Sequence, residues 1–255
     1  MGGEGPMEQR TDANNLAGNT FLHQNAHTLE RSFYYFSKRA IDIMASFIVL
    51  VLLSPLLLLI AILIRQDSPG PALFVQLRVG GKRKVLDGKV IWKPVPFPCY
   101  KFRSMVPKAD PSIHREYIKA LIENDAPGQT SSQNGNKAIK KLTIDNRITR
   151  LGRILRRTSL DELPQFWNVL VGEMSLVGPR PAIPYEIEMY KPWYHRRFDA
   201  KPGITGLWQV SGRSTLGFDE MMKLDIKYVE EQSFMMDLMI ILKTPLVLLS
   251  RKGAY

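Results

Sequence analysis

The sequence predicts an α+β fold, mainly helical, in which an apolar helix broken at its middle is joined to a polar domain with short strands and interfacial amphipathic helices. Three observations predict it. An apolar run from Ile43 to Ile64 carries Ser54-Pro55 near its centre. Behind it, "ALFVQLRVGG" and "KRKVLDGKVIWK" alternate as strands do and hold the turn residues of a hairpin. Farther on the period becomes helical, in "HREYIKALIEN", "DNRITRLGRILRR", "FDEMMKLDIKYVEEQ" and "FMMDLMIILKTPLVLL".

Taken in order, residues 1–32 are rich in Gly, Asn, Gln and Thr and read as a disordered polar tail. The apolar run, at about 1.5 Å per residue, is just long enough for a hydrocarbon core of about 30 Å. It starts too far into the chain for a cleavable signal peptide, and no small-residue cleavage site follows it. Pro55 removes a helical hydrogen bond and crowds the carbonyl of Val51. Arg31, Lys38 and Arg39 precede the run, and Arg65, Arg78, Lys82, Arg83 and Lys84 follow it. Basic residues gather on cytoplasmic flanks, and here both flanks qualify. Two topologies fit: a kinked span, or a helix that enters, breaks at Ser54-Pro55 and returns. In the second, the Ser54 hydroxyl is available to a carbonyl that the proline frees.

Beyond the run, "DSPGP" is a turn, Gly80-Gly81 is expected to end the first strand, and Asp87-Gly88 to turn the hairpin. A helix is expected from Asp145 through Arg157 and another from about Asp161 to Leu170, stopped by Gly172. "KPGITGLWQVSGRS" reads as turn, strand, turn. In the last apolar stretch Asp237, Lys243 and Pro245 favour an interfacial helix over a span. The expected division is a tail over 1–32, a membrane segment over 33–66 and a second domain over 67–255, with a flexible insertion at about 110–142.

The net charge of +11 calls for an anionic partner: nucleic acid, anionic lipid or a phosphorylated substrate. Nucleic-acid binding predicts base-stacking aromatics among the basic residues, and a known module; neither is present. Cys99 stands alone, so there is no disulfide framework, and a reducing compartment fits. His23, His27, His114 and His195 lack metal-ligand spacing, and no P-loop or dinucleotide fingerprint occurs.

The densest chemistry lies in "DNRITRLGRILRRTSLDELPQFWNVLVGEMSLVGPRP". Arg147, Arg150, Arg153 and Arg156 draw a basic stripe, most of it a solvated or headgroup-facing surface. Ser159 with Glu162 matches a capping box, and Pro164 fits a first turn. Asp161 and Glu162 then stand at the positive end of a helix. Acids favour first turns for that reason alone. Adjacent carboxylates can also hold Mg²⁺, which shares its oxygen ligands with substrate phosphates, and a carboxylate can attack phosphorus. Arginines nearby suit phosphate with their planar fork. Arg180 and Pro181 in "GPRP", Lys101 and Arg103 on one face of "YKFRSM", and Arg213 in "SGRS" are further candidates.

From about Ser37 to Tyr255 the chain resembles the bacterial sugar transferase family, the monotopic phosphoglycosyl transferases that act on polyprenol phosphate. The resemblance rests on "KRAIDI", the apolar run with "SP", "SPGPALFVQLRVG", "YKFRSM", the long arginine-rich motif, "KPGITGLWQVSGRS" and "LDIKYVEEQSF". It implies transfer of a sugar 1-phosphate from a UDP-sugar to a membrane polyprenol (undecaprenyl) phosphate with release of UMP. It implies a re-entrant helix broken at Ser54 and Pro55, a catalytic domain facing the cytoplasm, and residence in the bacterial inner membrane among anionic headgroups. Asp161 matches the nucleophile of a covalent phosphosugar intermediate and Glu162 its Mg²⁺-binding neighbour. Arg156, Arg180 and Pro181 match phosphate- or nucleotide-contacting positions; Lys101, Arg103 and Arg213 match basic positions around the site. The stretches at 84–97 and 110–142 are longer than in the smallest members, and a polar tail stands where larger members carry four transmembrane helices, so the chain looks like a small form. The expected partners are the UDP-sugar, polyprenol phosphate and the membrane, with no nucleic acid; a homodimer is left open. The "GAY" ending leans to glucose or galactose, and acetamido sugars stay open. The rivals are a membrane-tethered binding protein and a structural scaffold, neither of which would release UMP.

Overall fold

A computed structural model describes residues 30–87, 89–107, 110, 112–124, 147–212 and 216–249. The expected tail at 1–29, most of the insertion, Arg213 and the C-terminal "GAY" lie outside the described residues.

Two helices, α1 (Glu30–Leu52) and α2 (Ser54–Asp67), meet at Leu53 with a bend of 61°. Pro55 sits in the first turn of α2, where its missing N–H costs nothing. The Ser54 hydroxyl donates to the Val51 carbonyl at 2.8 Å, the carbonyl that the proline leaves without a partner. No single described helix is long and apolar enough to cross a membrane, whereas the bent pair is, by length and composition. Most of its apolar residues face outward, among them Met44, Phe47, Leu52 and Leu58, while Ile60 and Ile64 pack on Phe102 and Leu155.

Polar residues of α1 grip the rest of the chain. Lys38 pairs with the buried Asp237 at 2.7 Å, which also accepts from the hydroxyls of Tyr34 and Tyr228. One turn on, the buried Asp42 accepts from the Leu176 N–H at 2.9 Å and from Ser175 Oγ at 3.1 Å.

Strands β1 (Leu73–Leu86) and β2 (Lys89–Phe102) form an antiparallel hairpin in register from Leu73 with Phe102 to Leu86 with Lys89. Asp87 turns the chain in the left-handed region at φ 50°, as its place before a glycine predicts. Gly80-Gly81, in contrast, makes no turn, and β1 runs straight through it. A Cβ on Gly81 would stand 2.0 Å from the Phe198 carbonyl oxygen, and one on Gly80 would stand 2.3 Å from the Pro202 ring. The pair is a close approach of backbones, not a strand end. Pro94, Pro96 and Pro98 leave the outer edge of β2 without three donors, and Asn168 covers part of that edge through the Pro98 carbonyl and the Tyr100 N–H.

The remaining elements are α3 (Ser112–Asn124), α4 (Arg150–Thr158), α5 (Gln165–Val171), β3 (Ser175–Val177), α6 (Pro184–Ile187), a 3₁₀ segment (Pro192–Asp199), β4 (Gly203–Thr205), α7 (Leu207–Ser211), α8 (Phe218–Glu231) and α9 (Phe234–Leu249). β3 and β4 pair in parallel. The strand expected through "ITGLWQV" is short, ending at Thr205, and its second half is the helix α7 instead, packed through Leu207 into the core of Val177, Tyr228 and Ile240. α9 buries Asp237 and Ile240 and presents Phe234, Leu238, Leu242 and Leu246 outward, an apolar stripe at four-residue spacing.

Candidate active site

The two adjacent carboxyls lie where α4 stops. Its last turn is closed by Ser159, left-handed at φ 57°, whose N–H reaches back to the carbonyls of Leu155 and Arg156. A single 3₁₀ turn, Leu160–Glu162, follows, and α5 begins only after Pro164. The expected capping box between Ser159 and Glu162 does not form: Ser159 serves as the C-cap of α4, and its side chain caps no helix N-terminus. Glu162 turns instead to two cations, a stronger partner than one backbone N–H. In a 3₁₀ turn successive side chains diverge by about 120°, so Asp161 and Glu162 have separate surroundings.

Those surroundings drive the two acids apart. Arg180 Nη2 donates to Glu162 Oε1 at 3.1 Å, and Lys101 Nζ lies 3.6 Å from the same oxygen. Burial alone would raise the Glu162 carboxyl, but Arg180 and Lys101 outweigh it and hold the group down to about 2. Asp161 is 9% exposed, and burial together with the Glu162 charge pushes its carboxyl up, against the pull of Lys101, Arg156 and Arg180. One acid is thus fixed as an anion, and its neighbour is a desolvated, more basic carboxylate. Burial likewise pulls the Lys101 ammonium down, with Glu162 opposing.

Each cation comes from a different element. Lys101 is near the end of β2. Arg156, in the last turn of α4, donates from Nε to Ser104 Oγ at 2.9 Å. Arg180 stands in the β3–α6 loop, whose two prolines restrict it and whose Pro181 is buried. Arg103 is placed elsewhere. β2 ends at Phe102, and beyond it the buried Arg103 guanidinium donates to the carbonyls of Ile64, Ser68 and Pro69, closing the C-terminus of α2. Strand alternation, which put Arg103 on the Lys101 face, no longer applies there. Of the stripe, Arg147 donates to the Asp110 carbonyl, and Arg150 and Arg153 are exposed.

Sequence reasoning missed Arg78, counting it only among flanking charges. It is buried on β1 and lines a narrow crevice with Cys99, Lys101, Gln165, Arg180 and Pro181. The available signal was one arginine set between Leu77 and Val79 in a largely apolar stretch.

Among the described residues no group of three or more His, Cys, Asp or Glu converges to hold a metal unaided. Two adjacent carboxyls nevertheless suit Mg²⁺, which is held by one or two carboxylates and completes its shell with phosphate oxygens and water. Arg180 and Lys101 both engage Oε1 of Glu162, and among the described residues no partner is assigned to Oε2.

The family model for bacterial sugar transferases matches residues 33–251. An undecaprenyl-phosphate galactose phosphotransferase of Salmonella typhimurium is 42% identical over 220 residues, which cover 86% of this chain and 42% of that protein. The exopolysaccharide production protein ExoY of Rhizobium meliloti is 38% identical over 220 residues, 86% of this chain and 88% of ExoY. A UDP-glucose:undecaprenyl-phosphate glucose-1-phosphate transferase of Caulobacter vibrioides is 39% identical over 226 residues, 86% of this chain and 72% of that protein. The aligned part of the chain thus spans less than half of the Salmonella relative and most of the other two.

Proposed function

Because the chain belongs to the bacterial sugar transferase family, we propose that it transfers a hexose 1-phosphate from a UDP-sugar to undecaprenyl phosphate, releasing UMP. The names of the Salmonella and Caulobacter relatives support the acceptor and a galactose or glucose donor. The observation that carries the proposal is the pair Asp161 and Glu162 on one 3₁₀ turn, Asp161 buried and Glu162 held by Arg180 at 3.1 Å and Lys101 at 3.6 Å.

The chemistry is a double displacement. Lys101, Arg156 and Arg180 bind and orient the diphosphate and spread its charge, the main contribution a protein makes to phosphoryl transfer. Glu162, with Asp161 beside it, would hold Mg²⁺, which when bound neutralises phosphate charge. An Asp161 carboxylate oxygen attacks the phosphorus that bears the sugar; the bridging P–O bond breaks and UMP leaves. A phosphate oxygen of the polyprenol carrier then attacks the same phosphorus, forming the diphosphate and freeing Asp161. Desolvation makes Asp161 the better nucleophile of the two, whereas Glu162 is tied down by its cations.

The fold supports a place in the bacterial membrane. The 61° bend at Ser54-Pro55, the basic residues on both flanks and the outward apolar faces of α1, α2 and α9 suit a re-entrant helix pair and an interfacial helix on the cytoplasmic side. Arg103 ties the C-terminus of α2 to the end of β2, one residue from the strand that carries Lys101, so the membrane segment and the site share a frame.

The test is UMP release from UDP-glucose and UDP-galactose, given purified protein, Mg²⁺ and undecaprenyl phosphate. UMP formed with one of them supports the proposal. No UMP from either donor, or from UDP-acetamido sugars, refutes it.

A further inference from the structure

Arg78 is 8% exposed, yet no described carboxylate forms an ion pair with it. Its Nε and Nη2 donate to Gln76 Oε1 at 3.1 and 2.8 Å, and its Nη1 donates to the Pro181 carbonyl at 3.0 Å. All these acceptors are neutral, and they use three of the five N–H groups of a guanidinium. Glu186 and Glu162 act on Arg78 only from beyond ion-pair range, with Arg180 opposing them. A buried charge is normally paired, because burying it alone is costly, and arginine cannot escape by losing its proton. Around the crevice, moreover, Arg78, Lys101 and Arg180 stand together, and among the described carboxylates only Glu162 forms ion pairs there, with Lys101 and Arg180. Arg78 is buried there and Lys101 nearly so, while Arg180 is partly exposed.

The surroundings are rigid as well. Four consecutive carbonyls of the β3–α6 loop are each engaged: Pro179 by the Gly203 N–H at 2.9 Å, Arg180 by Arg197 Nη2 at 2.7 Å, Pro181 by Arg78 and Ala182 by the Val79 N–H at 2.8 Å. Arg197 is itself locked by a buried pair with Asp225 at 2.7 Å. Arg78 therefore holds the backbone beside Arg180 while two of its N–H groups have no described acceptor. A charge set in place without a counter-ion is what a phosphate subsite requires before the substrate arrives.

We infer that Arg78 binds the diphosphate of the nucleotide sugar, supplying from β1 a cation additional to Lys101, Arg156 and Arg180. The inference rests on the proposed function and adds a residue to it. A purely architectural Arg78, clamping Pro181 alone, makes different predictions.

The test is isothermal titration of UDP into the full chain in detergent with Mg²⁺, together with thermal unfolding of the ligand-free protein. Arg78→Gln is expected to weaken UDP binding at least tenfold. Arg78→Lys, which keeps the charge but loses the fork and its hold on Gln76 and Pro181, is expected to weaken it several-fold while lowering Tm only slightly. UDP affinity at the wild-type value in the lysine variant, with or without a lowered Tm, assigns Arg78 to architecture and overturns the inference, even where the glutamine variant fails to fold. A wild-type protein that does not bind UDP overturns this inference and the proposed substrate together.

Discussion

Replacing Glu162 with glutamine keeps the shape of the side chain and removes the charge shared by Lys101 and Arg180. The carboxyl is held at about 2 against an ordinary 4.5. At about 1.4 kcal/mol per tenfold, that difference corresponds to roughly 3 kcal/mol in favour of the folded, ionised form. The side chain is 21% exposed, so solvent screening removes little of it. Because the folded value is depressed, this stability is fully present above about pH 4.5 and is lost as the pH falls toward about 2. Glu162→Gln should therefore lower Tm at pH 7 by roughly 6–12 °C for a chain of this size. The deficit should shrink as the pH is taken through that acid window. Thermal unfolding in detergent, followed by tryptophan fluorescence, measures both. Equal Tm values at pH 7, or a deficit unchanged by acid, would refute the electrostatic account of the site. UMP release should fall in the variant even where it remains folded.

Asp161→Asn should act in the opposite direction on stability: the folded carboxyl is raised by burial, so its ionisation opposes folding at neutral pH, and the amide should raise Tm there and lose that gain in acid. Lysine at Arg156 or Arg180 keeps charge but not the fork, and should cut kcat/KM by about tenfold or more, whereas Arg150→Lys should change it little; near-normal turnover in the doubly substituted enzyme would count against a phosphate clamp. Replacing Ser54-Pro55 with Ala-Leu should remove the bend and favour a straight span, which cysteine labelling near positions 36 and 68 in intact cells will detect as one flank turned outward.

Local chemistry was legible in the sequence where the deciding partners are near in the chain. Ser54 and Pro55 forecast both the break and the hydroxyl-to-carbonyl bond, because Val51 is one turn away. Asp87 forecast the hairpin turn for the same reason. The misreadings arose where a distant segment decides. Gly80-Gly81 resembles a turn, but its cause is the backbone near Phe198 and Ala200. Glu162 fits a capping box until Lys101 and Arg180 arrive from β2 and from the loop before α6. Arg103 shares an alternating face with Lys101 only while the strand lasts, and just past its end the carbonyls of α2 claim it. Arg78 went unnoticed because one arginine between apolar neighbours in a strand is a weak signal until its burial is known.

The central claim is a covalent phosphosugar on Asp161, and the most direct measurement omits the acceptor. Wild-type protein, Mg²⁺ and the preferred UDP-sugar, with no polyprenol phosphate, should release at most one equivalent of UMP. Mass spectrometry of the rapidly quenched protein should then place a hexose-phosphate mass on the peptide that contains Asp161, and Asp161→Asn should show neither UMP nor the adduct. Turnover that persists in Asp161→Asn, or UMP that forms only when the acceptor is present and leaves no adduct, would contradict the account and require direct transfer in a ternary complex.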